Sequence, residues 1–295
     1  MDSPPAYPDD IREKVDGALE RFFPPEDTYP DILYRAMRYS LFAGGKRFRP
    51  VLTVLTGSVF GAVAEDVMPT ACAIEYIHTY SLIHDDLPAI DDDDLRRGRP
   101  TCHKAFGEDI AIMAGDALFA EAFALITRLQ KASEQGKIIR VISEIAEASG
   151  PGGMVGGQVV DMISTGQKID METLLYIHAN KTGRLIRTAA VCGAVLADAN
   201  ETEVKAVGLY GEQLGLAFQI TDDVLDETGS VEALGKTPGQ DRAHEKATYT
   251  SIAGLDGAVE RARSEAAAAV EGLRDIAVDT SALKDLASFV VERTG

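Results

Sequence analysis

Two apolar runs that each end in a cluster of aspartates constrain this chain more than any other feature. The first reads Ser81-Leu82-Ile83-His84-Asp85-Asp86-Leu87-Pro88-Ala89-Ile90-Asp91-Asp92-Asp93-Asp94. The second reads Phe218-Gln219-Ile220-Thr221-Asp222-Asp223-Val224-Leu225-Asp226. The apolar runs imply helices that enter a core, and carboxylates carried on such helices ionise cheaply only beside a partner. Oxygen-rich sites of this kind suit Mg²⁺ holding a phosphorylated substrate. The fold must therefore bring two acidic helix segments to one cavity.

Helical periodicity recurs from Ile11 onward, whereas period-two alternation is scarce. Helix formers dominate 109–130, 137–148 and 258–276. Breakers fall between such segments at Phe23-Pro24-Pro25, Gly44-Gly45, Gly98-Arg99-Pro100, Gly150-Pro151-Gly152-Gly153 and 235–239. None is a long linker, and composition does not shift across any of them. The expectation is a single all-α domain over 1–295, a helical bundle around a central cavity.

A net charge of −18 argues against nucleic acid or an anionic membrane surface as partner. Cys72, Cys102 and Cys192 are odd in number and lack CxxC spacing, which disfavours a zinc site or a disulfide framework and fits a reducing cytoplasm. The start, Met1-Asp2-Ser3-Pro4-Pro5, has neither the basic nor the apolar region of a signal peptide. No stretch approaches the ~20 uncharged apolar residues of a membrane span. A cytoplasmic protein without a membrane partner is expected.

The two acidic motifs differ in geometry. Asp222 and Asp226 are four apart and share a helical face, a like-charge pair that a cation over them would relieve. A solvated acidic face is the alternative, and the flanking Phe218, Ile220, Val224 and Leu225 argue against it. Asp85 and Asp91 are six apart, about 120° from one another on an ideal helix. Pro88 between them cannot continue an undistorted helix. The helix is therefore predicted to end or bend there, bringing Asp91 back toward Asp85. The residue order of a calcium-binding EF-hand loop is absent.

Cations cluster in four places: Gly44-Gly45-Lys46-Arg47-Phe48-Arg49-Pro50, Arg96-Arg97-Gly98-Arg99-Pro100, Lys181-Thr182-Gly183, and Lys236 with Lys246. A metal-bound diphosphate calls for both kinds of group, carboxylates for the metal and guanidinium forks for the oxygens. None of these clusters has the order of a Walker loop.

With these motifs in order, the chain resembles the trans-isoprenyl diphosphate synthases (polyprenyl synthetases), most closely the bacterial farnesyl diphosphate synthases. The resemblance rests on GGKRFRP at 44–50, DDLPAIDDDDLRRGRPT at 85–101, GDAL at 115–118 and GGQVVDM at 156–162. It continues through KTG at 181–183, FQITDDVLD at 218–226 and GKTPGQD at 235–241. It implies an isoprenoid synthase fold, three Mg²⁺ ions per site, isopentenyl and allylic diphosphate substrates, and a homodimer. By position, it implies that Lys46, Arg49 and His78, with Arg97 assisting, hold isopentenyl diphosphate. It implies Asp85, Asp91 and Asp222 as Mg²⁺ ligands, and Arg96, Lys181, Lys236 and Lys246 as counterions of the leaving diphosphate. Thr182 and Gln219 would place oxygens near the allylic carbon, with Lys181, as the catalytic group.

Tyr80 lies five residues before Asp85, about 7.5 Å back along a helix axis. The family pattern gives C15 products to an aromatic there combined with a two-residue insertion in the first motif. Both are present, with Ser81 leaving room to one side, so farnesyl diphosphate is the expected product and a C20 product the alternative. His84 reads either as a packed helix residue or as part of the site. A terpene cyclase would lack GGKRFRP, and a non-catalytic regulatory subunit would have lost ligands that are all present here. The C-terminal stretch Val291-Glu292-Arg293-Thr294-Gly295 has one basic residue, so closure of the isopentenyl site by a basic tail is not implied.

Overall fold

A computed structural model of the chain describes residues 7–228 and 246–293. Lys236 and the GKTPGQD motif at 235–241 lie outside the described residues. The helices are α1 (Asp9–Phe22), α2 (Asp31–Leu41), α3 (Phe48–Val59), α4 (Ala64–Asp85), α5 (Cys102–Phe106), α6 (Glu108–Leu129) and α7 (Gln135–Ser149). They continue as α8 (Met154–Ser164), α9 (Met171–Ile177), a π-helical segment His178–Gly183, α10 (Arg184–Leu196) and α11 (Glu201–Thr228). Beyond 246 come α12 (Tyr249–Ala253), α13 (Leu255–Gly272) and α14 (Ser281–Glu292). The all-α expectation holds, apart from a hairpin of β1 (Leu95–Arg96) with β2 (Arg99–Pro100). Arg97 and Gly98 at its tip take φ of 53° and 73°, the left-handed conformation that a two-residue hairpin turn requires.

Helices α4 and α10 form the centre because neither keeps a polar stripe along its length. Ile74, Tyr76 and Ile77 of α4, and Leu185, Ile186, Ala189 and Cys192 of α10, have no exposure. Helix α10 packs on α3 and α11, and α4 on α3 and α6. Gly193 permits the close approach of α10 to α3, since a Cβ there would collide with the Thr53 carbonyl of α3. Cys72, Cys102 and Cys192 are all buried free thiols. Among the described residues, α6 is the one helix long and apolar enough to cross a membrane. It carries Asp116 and Glu121, and it lays Ala111, Ala114, Leu118 and Leu125 into the core.

The chain turns where the sequence predicts. α4 stops at Asp85, and Pro88 has no N–H to extend it. The carbonyl of Leu87 accepts from both Ile90 N (2.9 Å) and Asp92 N (3.1 Å), which wraps the following residues back over the helix end.

Candidate active site

The first wall is the C-terminal end of α4 with its loop. Asp86 is buried and accepts from Arg96 Nε at 2.7 Å, and Arg96 also reaches Asp93 at 3.3 Å. Asp91 accepts from Lys246 Nζ at 2.8 Å. Asp85 lines a cavity of about 320 Å³ with Arg49, His78, Tyr80, Lys181 and Thr182. Burial raises the Asp85 carboxyl to about 6, with Asp91 adding to the shift and Lys181 opposing it.

The second wall comes from the π-helical segment, a wide turn of the kind often found at functional sites. It directs neighbouring side chains to different helices. Lys181 Nζ bonds Asp161 of α8 at 2.7 Å, and Thr182 Oγ1 donates to Gln219 Oε1 of α11 at 2.7 Å. Gly157 makes this possible, because a Cβ there would collide with the Lys181 backbone. Lys246 also lies 3.8 Å from Asp161. Burial works against the Asp161 carboxylate, but Lys181 and Lys246 outweigh it and hold its pKa below the ordinary value. Asp161, the sixth residue of the GGQVVDM motif, is a site residue that the spacing of the motifs does not reveal.

The basic knot at 44–50 divides its labour. Arg47 turns into the core, where it pairs with Glu75 (2.8 Å) and Asp16 (2.9 Å) and donates to the Leu41 carbonyl. Of the knot's three cations, only Lys46 and Arg49 are left for the site. Arg49 is 8% exposed, and its Nε has no hydrogen-bond partner among the described residues. His78 lines the same cavity. Burial, with Arg49 and Arg97 nearby, pushes its imidazole well below the ordinary value, so it is neutral at pH 7. Arg97 bonds the Gly44 carbonyl, which joins the second basic cluster to the first.

Asp222 stands apart from the Lys181–Lys246 group. It pairs with Arg293 at 2.6 Å, and the Arg293 guanidinium covers the Phe218 ring at 4.2 Å. Lys46 Nζ lies 5.7 Å from the centre of the Phe289 ring on α14. The single basic residue of the C-terminal stretch thus reaches the second acidic motif, a contact that sequence reading left out. Asp223 and Asp226 are buried, whereas the Asp222 side chain is 42% accessible, so the acidic segment is solvated only at Asp222. Among the described residues, no three His, Cys, Asp or Glu side chains converge as a ready metal cage.

Tyr80 is 8% exposed, lines the cavity and packs edge-to-face on Phe119 (5.1 Å) and His84 (5.7 Å). Ser81 lines the cavity beside it and donates to the His78 carbonyl at 2.9 Å. His84 is held against Gly115, with Nε2 3.1 Å from the Ile112 carbonyl, and also lines the cavity. Both readings of His84 therefore apply, packed residue and cavity wall.

The polyprenyl synthetase family matches residues 30–285. The chain is 44% identical over 283 residues to a farnesyl diphosphate synthase of Geobacillus stearothermophilus, covering 96% of this chain and 95% of that one. It is 43% identical over 283 residues to a geranylgeranyl diphosphate synthase of Cyanophora paradoxa, covering 96% and 94%. The crystal structure of a geranylgeranyl pyrophosphate synthetase from Pyrococcus horikoshii superposes with a TM-score of 0.86 at 33% identity, over 97% of this chain and 98% of that one. With a match of this extent falling on the motifs that build the cavity, the chain belongs to the polyprenyl synthetase family.

Proposed function

We propose that this protein condenses isopentenyl diphosphate with dimethylallyl or geranyl diphosphate and releases farnesyl diphosphate. The observation that carries the chain length is Tyr80, a cavity-lining ring five residues before Asp85 that packs on Phe119 and His84. Relatives named for C15 and for C20 products match almost equally well, so a geranylgeranyl synthase is the competing reading.

Roles follow from position. Arg49 and Lys46 would hold the isopentenyl diphosphate, with neutral His78 offering an N–H and Arg97 steadying the Gly44-Gly45 loop beside them. Lys181, Lys246 and Arg96 would neutralise the allylic diphosphate as its C–O bond breaks. Thr182 and Gln219 stand beside the same cavity and would face the allylic carbon.

The donor set fits Mg²⁺: hard carboxylate oxygens at Asp85, Asp91 and Asp222, completed by diphosphate oxygens in place of an all-protein cage. Bound there, three such ions would supply charge neutralisation to the leaving group. A homodimer is part of the same reading, and Ile112 and Met113, apolar and exposed on α6, would contribute to its contact surface.

Incubation with isopentenyl diphosphate, each allylic primer and Mg²⁺, followed by chromatography of the dephosphorylated products, tests the reading. A C15 alcohol is expected. A C20 alcohol as main product transfers the chain to the competing reading, and no turnover with any primer removes both.

A further inference from the structure

Asp223 has no part in the assignment above, yet it is 3% exposed and engaged on both oxygens. Its Oδ2 accepts from the Tyr249 backbone N–H at 2.7 Å and lies 3.4 Å from His178 Nε2. Its Oδ1 accepts from Gln219 Nε2 at 3.3 Å. A carboxylate placed among donors accepts, so the Gln219 amide must turn its NH₂ group toward Asp223. Gln219 Oε1 is then left facing Thr182, whose Oγ1 donates to it at 2.7 Å. A threonine hydroxyl has one proton. With that proton committed to Gln219, Thr182 has only lone pairs to present to the cavity it lines with Asp85 and Lys181.

We propose that Asp223 is a positioning residue that sets the direction of this hydrogen-bond chain, so that Thr182 turns lone pairs toward the allylic carbon. The inference rests on the prenyl-transfer reading. In that reaction the allylic C–O bond breaks heterolytically, its electron pair leaves with the diphosphate, and the allylic carbons become positive. A hydroxyl proton aimed at them would oppose ionisation, and a lone pair fixed in advance favours it. Two further contacts hold the anchor of the chain. His178 opens the π-helical segment that carries Thr182, and Tyr249 opens α12 just after Lys246. The polarity at Thr182 is thus secured by the same elements that position Lys181 and Lys246 beside Asp161.

Asp223→Asn keeps the size but can donate, which lets the Gln219 amide turn over and frees the Thr182 proton. Steady-state kinetics with isopentenyl and geranyl diphosphates would compare wild type, Asp223→Asn, Thr182→Ala and the double variant. The single Asp223→Asn change is expected to lower kcat about ten- to hundredfold while the allylic KM and the half-saturating Mg²⁺ stay within about twofold. The double variant should be no slower than the slower single variant, because both changes remove one interaction. Gln219→Met cuts the chain without touching the Tyr249 contact, should show the same non-additivity with Thr182→Ala, and replaces Asp223→Asn if that variant does not fold. Wild-type kcat in Asp223→Asn, losses that multiply, or a raised Mg²⁺ requirement overturns the proposal. An active wild type beside an unaffected variant removes this inference alone, whereas an inactive wild type removes the prenyl-transfer reading with it.

Discussion

The Asp91 backbone N–H donates to the Asp85 carbonyl over 2.9 Å, closing a seven-residue loop around Pro88. On a continuing helix these two carboxylates would diverge by about 120°. Closed in this way, both belong to the wall that faces Lys181 and Lys246. The proline inside the motif is part of how the site is made.

Asp85 gives the first prediction. Burial places its carboxyl at about 6, above its ordinary value near 4. Between those values the folded protein binds the proton more tightly than the unfolded chain does. Stability therefore falls as pH rises through that window, and the penalty is complete above it. Allowing for partial exposure to the cavity, the penalty is on the order of 1–2 kcal/mol. Urea unfolding without Mg²⁺ should show Asp85→Asn stabilised by that amount at pH 7.5 and unchanged at pH 4, with turnover lost. No gain at pH 7.5 would contradict the burial argument.

Tyr80→Ala removes the ring that packs on Phe119 and His84. The product is expected to lengthen from C15 toward C20 or beyond, read by chromatography of the dephosphorylated alcohols. An unchanged C15 profile would show that another side chain ends the pocket.

Glu75 and Arg47 form an ion pair at 2.8 Å in which each side chain is 2% exposed. Truncating one partner of such a pair leaves a buried charge and costs about 3–5 kcal/mol. Glu75→Ala should lower the urea midpoint accordingly. It should also raise the KM for isopentenyl diphosphate, because Arg47 anchors the turn between Lys46 and Arg49. A loss under about 1 kcal/mol would mean that Asp16 and the Leu41 carbonyl suffice for Arg47.

Arg293 competes for the carboxylate assigned to a metal ion. Its pair with Asp222 is half exposed, the Asp222 side chain being 42% accessible, so the contact is screened. Arg293→Ala is expected to lower the half-saturating Mg²⁺ about two- to fivefold, since screened pairs contribute up to about 1 kcal/mol. Titration of Mg²⁺ against initial rate measures it, and a rise would mark Arg293 as a substrate contact.

By itself the sequence determined the all-α class, the break at Pro88 and the approximate helices at 109–130 and 137–148. It also pointed to Arg49, His78, Asp85, Lys181 and Thr182 of the cavity lining, but not to Met154, Val155 or Gln158. Those features are local: periodicity, a missing N–H, and residue types in a fixed order each leave their mark within a few positions. Tertiary structure decided the partners. That Arg47 serves the core while Arg49 serves the site depends on Glu75, 28 residues further along the chain. Asp161 became a site residue only when Gly157 let α8 approach Lys181, and Arg293 only when α14 came to lie over Phe218. Spacing likewise put Asp222 and Asp226 on one helical face, with Asp223 beside them. Packing separated them, exposing Asp222 to Arg293 and burying Asp223 among Gln219, His178 and Tyr249, because the fate of a carboxylate on a helix is set by what packs against it.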